Sequence, residues 1–338
     1  MVRKVTIKDV AALAQTSVTT VSLILNHKGQ RFSPETIDRV RKAQVKLGYT
    51  PDYFAQNMVN KQTRTIAVLV PDINNPFFSE FIQGIEEIAY QHDFIPLVYS
   101  AGTQNQKVNY YLKELVRRKV DGLILAVSGL DEVILRQLAS QQMPYILLDQ
   151  SEKQHQSDEI MVQDLIGGQL ATDYLIQQGH RRIGIVLPAN SAWNIEQRLL
   201  GYRKTLAAHQ ITVQEDWIIN TELSKKGGYQ ATDQVIASGV TAVFAVNDEL
   251  AIGLYRGFAE RQLSIPENLS IVGYDNVDWC EYVRPKLTTV RQPIFELGQE
   301  AARLLLDRIA DPKKAIQQRI LAVDLIKRDS VQTVSPGK

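Results

Sequence analysis

The chain has 338 residues, 44% of them hydrophobic and 22% charged, a formal net charge of +1 and one cysteine, Cys280. That length accommodates two or three domains with a large core, while a single cysteine excludes an internal disulfide framework or a cysteine-rich zinc site and fits a reducing compartment. The near-neutral total hides an asymmetry: residues 1–64 hold 11 Lys and Arg against 4 Asp and Glu, an excess of +7, and residues 65–338 carry −6, as suits a phosphate-binding head joined to a soluble sensor.

The first residues, MVRKVTIKDV, contain no apolar signal region, and no later apolar run approaches the roughly 18 residues of a membrane span. A soluble, cytoplasmic protein is expected. Two short helical patterns then follow within TIKDVAALAQTSVTTVSLILN (6–26). Thr6 can cap the first, with Asp9 three residues on, and Ile7, Val10, Ala11 and Ala14 share one face. Ser17 caps the second; Val18, Val21 and Leu25 line one side of it, and Thr19, Ser22, Leu23 and Asn26 another. Short polar side chains followed by Lys28 and Arg31 suit entry into a DNA major groove. A third helix opens at Ser33-Pro34, turns Ile37, Val40, Ala43 and Leu47 inward and stops at Gly48. Residues 51–61 read as a further short helix, too short to be stable alone in water, and 60–64 as a polar linker.

Beyond residue 65, strands and helices alternate. Buried-strand runs lie at 66–70, 95–99, 122–127, 145–148, 183–187, 242–246 and 269–272, with amphipathic segments such as 78–90, 108–118, 133–140, 165–178 and 195–208 between them. This is the signature of parallel βαβ units. The pattern restarts near Asp164 and is long for one sheet, so two doubly wound lobes with a cleft are predicted. Ligands of such sheets bind beyond the carboxyl ends of the strands. Asp72, Asn75, Phe77, Phe78, Asp149, Gln150, Asn247, Asp248, Tyr274 and Asp275 collect there, and Arg198 opens a helix nearby. Carboxylate and amide oxygens that accept from hydroxyls, a guanidinium that donates, and rings that cover C–H faces make a sugar site. Each of these residues also has a structural reading: Asn75 or Asp248 as a helix cap, Asp149 and Asp275 as turn residues, Phe77 and Phe78 as core.

T-I-K-D-V-A (6–11), T-V-S (20–22), Leu25-Asn26, S-P-E-T (33–36) and L-G-Y-x-P (47–51) together resemble the head of the lactose-repressor/galactose-repressor family of bacterial transcription regulators. The resemblance extends over the whole chain. It implies a three-helix helix-turn-helix domain at 1–50, a hinge helix and linker at 51–64, and a periplasmic-binding-protein-like effector-binding and dimerisation body at 65–338. Lobe 1 would take about 65–162 and 291–321, lobe 2 about 163–290 and 322–338, with crossings near 162–164, 290–293 and 321–324. The implied DNA-contacting residues are Thr6, Ser17, Val18, Thr19, Thr20, Ser22, Leu23, Asn26, His27, Arg31, Tyr49, Ala55 and Met58, with Met58 wedged into the minor groove. The implied effector-binding residues are Asp72, Asn75, Phe77, Phe78, Asp149, Arg198, Asn247 and Asp275, and the loop Asn74-Asn75-Pro76-Phe77-Phe78 is similar to that of ribose-operon repressors.

Three positions depart from the family pattern. Gln150 replaces a common Arg, Gln15 stands where the turn usually has Gly, and Leu23 replaces an Arg that commonly reads guanine. The expected protein is a homodimeric, sugar-responsive repressor that releases operator DNA on binding a ribose-like sugar, with no cofactor and no metal. A co-repressor mechanism using a purine-like or protein co-effector is the alternative within the class. A sugar-modifying enzyme is the competitor outside it, and GxGxxG, GxxxxGK, HExxH and GxSxG are all missing from the sequence.

Overall fold

The computed structural model describes residues 5–26, 30–50, 63–102, 104–127, 130, 132–149 and 157–334. The chain divides into two compact units, one within Met1–Thr63 and one within Arg64–Lys338.

The first unit contains α1 (Ile7–Leu13), α2 (Val18–Leu25) and α3 (Pro34–Leu47). Each opens on a polar cap. The Thr6 backbone N–H and hydroxyl both donate to Asp9 Oδ2, at 2.8 and 2.7 Å, and Ser17 Oγ accepts from the Thr20 N–H at 3.0 Å. Ser33 caps α3, with Pro34 in its first turn, and the helix stops at Gly48 with φ +59°. A small core of Val10, Ala11, Ala14, Val21, Ile24, Val40 and Ala43 joins the three. On α2, Val18 points outward and is 39% exposed, on the side expected to face DNA, while Ile24 joins Val21 in the core. Three-residue steps drift by about 60° around a helix, so a core centred on Val21 and Ile24 turns Val18 away from it. Gln15, in the turn, has φ +51°, a left-handed conformation that a Cβ disfavours.

The second unit holds two sheets. The first contains β1 (Thr65–Val70), β2 (Ile95–Ser100), β3 (Gly122–Leu125), β4 (Tyr145–Leu148), β5 (Asp158–Val162) and β11 (Gln318–Leu321), in the order β11-β5-β4-β3-β1-β2 with all pairs parallel. Its helices are α4 (Pro76–Gln91), α5 (Asn105–Arg117), α6 (Glu132–Ser140) and α11 (Ile294–Ala310). Both faces are covered, which explains why β1 is apolar at successive positions. Ile66, Val68 and Val70 pack in one core with Phe81 and Ile85 of α4. Ala67 and Leu69 pack in another with Leu112 and Leu115 of α5 and Leu138 of α6.

The second sheet contains β6 (Ile183–Leu187), β7 (Ile218–Asn220), β8 (Ala242–Ala245), β9 (Ser270–Asp275), β10 (Thr288–Arg291) and β12 (Asp324–Ile326), ordered β12-β10-β9-β8-β6-β7. Its pairs are parallel except β10 with β12. Helices α7 (Asp164–Gln177), α8 (Trp193–Ala208), α9 (Lys225–Ala237) and α10 (Asp248–Glu260) accompany it. The chain passes between the two lobes at Gln163, at Gln292-Pro293 and at Ala322-Val323. Strands β5, β7, β10, β11 and β12 were not singled out in the sequence. They begin in polar residues or are only three or four residues long, and a run of that length shows no period.

Helices α7 and α8 touch backbone to backbone. A Cβ on Gly168 would lie 2.2 Å from the Arg198 carbonyl oxygen, and one on Gly201 would lie 2.3 Å from that of Leu165. This close seat places Arg198 against the start of α7.

In lobe 1, the end of α11 is tied to the sheet by a partly buried ion pair. Arg308 Nε and Nη2 donate to the two Asp158 oxygens at 2.8 and 2.9 Å, and the Gln317 N–H donates to Oδ1 at 2.8 Å. Without the carboxylate, Arg308 stays partly exposed and still donates to the Pro312, Lys314 and Ala315 carbonyls, while the Gln317 N–H loses its acceptor. Asp158→Ala is therefore expected to lower body stability by about 1–3 kcal/mol, measured by calorimetric or denaturant unfolding. A loss below about 1 kcal/mol, the range of an exposed pair, would contradict this role.

Candidate functional site

In the head, the outward side of α2 carries Ser17, Val18 and Thr19 exposed, with Thr20, Ser22, Leu23 and Asn26 partly buried; Thr6 and Arg31 are exposed and Tyr49 partly buried. Several of these hydroxyls already serve the fold. Ser17 and Thr20 share a hydrogen bond of 2.9 Å, and Asn26 Nδ2 donates to Ser22 Oγ at 3.3 Å. Val18 and Thr19 are left as the most outward side chains at the start of the helix. Arg31 stacks at 5.2 Å over Phe32, and Lys8, Arg39, Arg41, Lys42 and Lys46 are exposed on the same unit. His27, Ala55 and Met58, expected at the DNA, lie outside the described residues, as does Gln150.

In the body, a cavity of about 750 Å³ opens between the two sheets. It lies beyond the carboxyl ends of the parallel strands, where the backbone leaves the sheet and side chains can converge. All eight residues expected to bind the effector line it: Asp72, Asn75, Phe77, Phe78 and Asp149 from lobe 1, and Arg198, Asn247 and Asp275 from lobe 2. Phe77 and Phe78 meet edge to face at 5.0 Å and form an apolar wall. Asn75 and Asn247 are at once lining residues and helix caps; their oxygens accept from the N–H groups of Phe77 (2.9 Å) and Leu250 (3.0 Å), which leaves their amide nitrogens for a ligand. Asp248, considered as a candidate beside Asn247, does not line the cavity.

Arg198 is the electrostatic centre, 4% exposed. Its Nε donates to Asp164 Oδ1 at 2.7 Å, its Nη1 to the Val246 carbonyl at 2.7 Å, and its plane lies 3.6 Å over the Tyr274 ring. Tyr274 also donates to Asp164 Oδ1, at 3.0 Å. Burial pulls the guanidinium's pKa down, but Asp164, Tyr274 and Asp275 outweigh burial and hold it above its usual range. The carboxylates are pushed the other way. Burial, with Asp164 as a like charge, raises Asp149 well above the ordinary range against the pull of Arg198. Burial does the same to Asp275, again opposed by Arg198. Asp149 reaches across the cleft to Asn194, whose Nδ2 donates to Oδ2 at 3.5 Å, and Gln292 Nε2 donates to Asp275 Oδ1 at 2.6 Å.

Three buried oxygens, Asp149 Oδ1, Asp164 Oδ2 and Gln292 Oε1, accept no hydrogen bond within the protein. Of the three residues, only Asp149 lines the cavity, where its carboxyl group is placed to meet a hydroxyl or N–H donor of a ligand. Among the described residues, no three His, Cys, Asp or Glu side chains gather as a metal-binding group, and no helix is long and apolar enough to cross a membrane.

Residues 6–52 match the bacterial regulatory proteins of the lacI family, and residues 172–331 match the periplasmic binding protein-like domain. The chain is 35% identical over 336 residues to the HTH-type transcriptional repressor PurR of Vibrio cholerae serotype O1, covering 98% of this chain and 99% of that one. The chain belongs to the lacI family. It is also 33% identical over 332 residues to the ribose operon repressor of Haemophilus influenzae, with 97% and 99% covered. A solved lacI-family transcriptional regulator from Enterococcus faecium with bound ribose is 46% identical, with a TM-score of 0.75 over 80% of this chain and 100% of that chain.

The lacI-family cavity draws on residues that the sequence reading passed over. Asp164, which opens α7 after the Gln163 crossing, and Gln292, in the second crossing, hold the lining residues Arg198 and Asp275 in place, and Asn194, Glu222, Ser224, Lys225, Lys226 and Glu249 line the lobe 2 side. Lys225 pairs with Glu249 at 3.2 Å and lies 4.0 Å from the Trp279 ring. The signal for this side is the polar run that follows β7, but a three-residue strand gives no pattern to mark its end.

Because Asp149 and Asp275 are raised on folding, the folded body binds more protons than the unfolded chain above about pH 4, where a free Asp ionises. Their contribution to stability is complete below that pH and is lost as the pH rises through their folded values. Asp275→Asn carries no such charge, so its melting temperature should fall less than that of wild type between about pH 5 and about pH 8. Equal slopes for the two proteins in calorimetry would contradict the raised carboxyl.

Proposed function

We propose that the chain is a cytoplasmic, homodimeric transcriptional repressor, not an enzyme, whose cavity binds a small neutral sugar, ribose or a close relative, and whose head reads operator DNA. The observation that carries the ligand is the convergence of Asp149, Arg198, Asn247 and Asp275 with Asn75, Phe77 and Phe78 on one cavity. Ring hydroxyls would donate to Asp149 and Asp275 and accept from Arg198, Asn75 and Asn247, while Phe77 and Phe78 cover the C–H face. A sugar phosphate is the poorer match, because Arg198 is already held by Asp164 and the Val246 carbonyl.

In the head, Val18 and Leu23 would offer apolar contact to thymine methyl groups, Thr19 and Ser22 hydrogen bonds to base edges, and the exposed Lys and Arg contacts to phosphates. One recognition helix reads about half a site, so two copies on a near-palindromic duplex are expected. Lobe 1 offers a face for the second copy: edge strand β2 and the neighbouring helices expose Ile95, Val98, Tyr90 and Tyr110. The functional division follows as residues 1–50 for DNA, 51–64 for the hinge and linker, and 65–338 for effector binding and dimerisation. A co-repressor reading, with a purine-like or protein co-effector, has one observation in its favour: about 750 Å³ is more room than a pentose needs.

Titration calorimetry with ribose tests the ligand. Wild type should give heat and saturate, and Asp275→Ala should lose about tenfold or more in affinity, since truncation leaves buried donors unpaired. Binding of a sugar phosphate or purine with no response to ribose would overturn the ligand assignment.

A further inference from the structure

The residue that aims at the ligand, Asp275, stands on a left-handed turn that is held from beneath the cavity. Asp275 and Asn276 have φ of +118° and +62°, two consecutive side-chain-bearing residues in a region that favours glycine. The turn survives because its neighbours over-determine it. Asp248 Oδ2 accepts from the Val277 N–H at 2.9 Å and from the Cys280 thiol at 3.1 Å, and Oδ1 accepts from the Thr289 hydroxyl at 2.7 Å. Asp248 is fully buried. It fits there because residue 273 is glycine, where a Cβ would lie 2.2 Å from Asp248 Oδ1. On the other side, the Gln292 backbone N–H donates to the Asp275 carbonyl at 3.2 Å and Arg328 Nη2 donates to Asn276 Oδ1 at 2.7 Å.

We propose that Asp248 is a positioning residue for the effector: without touching the ligand, its carboxylate fixes the Asp275-Asn276 turn that aims Asp275 into the cleft, and through Thr289 it ties that turn to β10, the strand by which the chain leaves lobe 2. The inference rests on the reading of the cavity as a sugar site. A neutral group would be easier to bury at this position. Burial pushes Asp248 up to about 6 despite the hydrogen bonds from Thr289, Cys280, Val277 and Asn276. The titratable groups around it, Asp275 on β9, Cys280 after it and Tyr255 on α10, supply no cation. The charge is retained because it accepts four donors at once, more than the single oxygen of an amide can satisfy.

The test compares full-length wild type with Asp248→Asn and Thr289→Val at pH near 7.5, using ribose as the probe in calorimetry, melting temperature for the fold, and hydrogen exchange over residues 274–280 for the turn. Asp248→Asn should melt at or above the wild-type temperature yet bind ribose at least about tenfold more weakly, with faster exchange at Val277. Thr289→Val, which removes one donor of four, should lose less affinity in the same direction, and it carries the comparison if Asp248→Asn does not fold. This split between affinity and melting separates positioning from a merely structural role. Ribose affinity within about twofold of wild type in a folded Asp248→Asn protein, or unchanged exchange at Val277, would overturn the proposal. If wild type itself gives no heat with ribose, the sugar reading fails instead, and the exchange rate at Val277, which needs no ligand, still decides whether Asp248 holds the turn.

Discussion

Arg198 makes the cleft possible. Three carboxylates, Asp149, Asp164 and Asp275, lie buried around it, and a buried charge without a partner is expelled or neutralised. The guanidinium is itself held on three sides, by Asp164, by the Val246 carbonyl and by the Tyr274 ring. Its backbone seat is set by Gly168 and Gly201, where α7 and α8 approach too closely for a Cβ. Exchange the guanidinium for a neutral side chain and the acceptors that define the ligand lose the cation that lets them stay buried.

The same cluster sits where the lobes join. Asp164 begins α7 directly after the Gln163 crossing, and Gln292, which binds Asp275, lies in the crossing after β10. Asp149 comes from lobe 1 and Arg198 from lobe 2, so a ligand bonded to both has a different free energy in each lobe arrangement. That difference is what an effector needs, since a ligand with equal affinity for two states shifts neither. The buried polar groups at the crossings, Asp164 and Gln292, are bonded to the cavity residues Arg198 and Asp275.

Much of this architecture was legible because its signals are periodic. The helices of the head repeat at 3.6 residues and begin on Thr6, Ser17 and Ser33, which cap them in the structure as expected. The central strands are apolar runs bounded by polar residues, and their ends marked seven of the eight expected cavity residues, Arg198 on α8 being the exception. What escaped has no local signal. Asp164 and Gln292 take their meaning from partners far along the chain, Arg198 and Asp275. Strands such as β7 and β12 have three residues each and exist by pairing with neighbours. Asp248 looked like a ligand contact because it follows Asn247, yet a one-residue step at a helix start swings the side chain by about 100°, from the cavity to the underside of β9.

The central claim is a thermodynamic coupling between cleft and head, and operator affinity measured with and without ribose addresses it directly. Fluorescence anisotropy on a duplex selected from a randomised pool should show ribose weakening full-length protein's hold on DNA by about 5–150-fold, with the duplex weakening ribose binding by the same factor. Operator affinity that is unchanged at saturating ribose, or that tightens, would contradict the account.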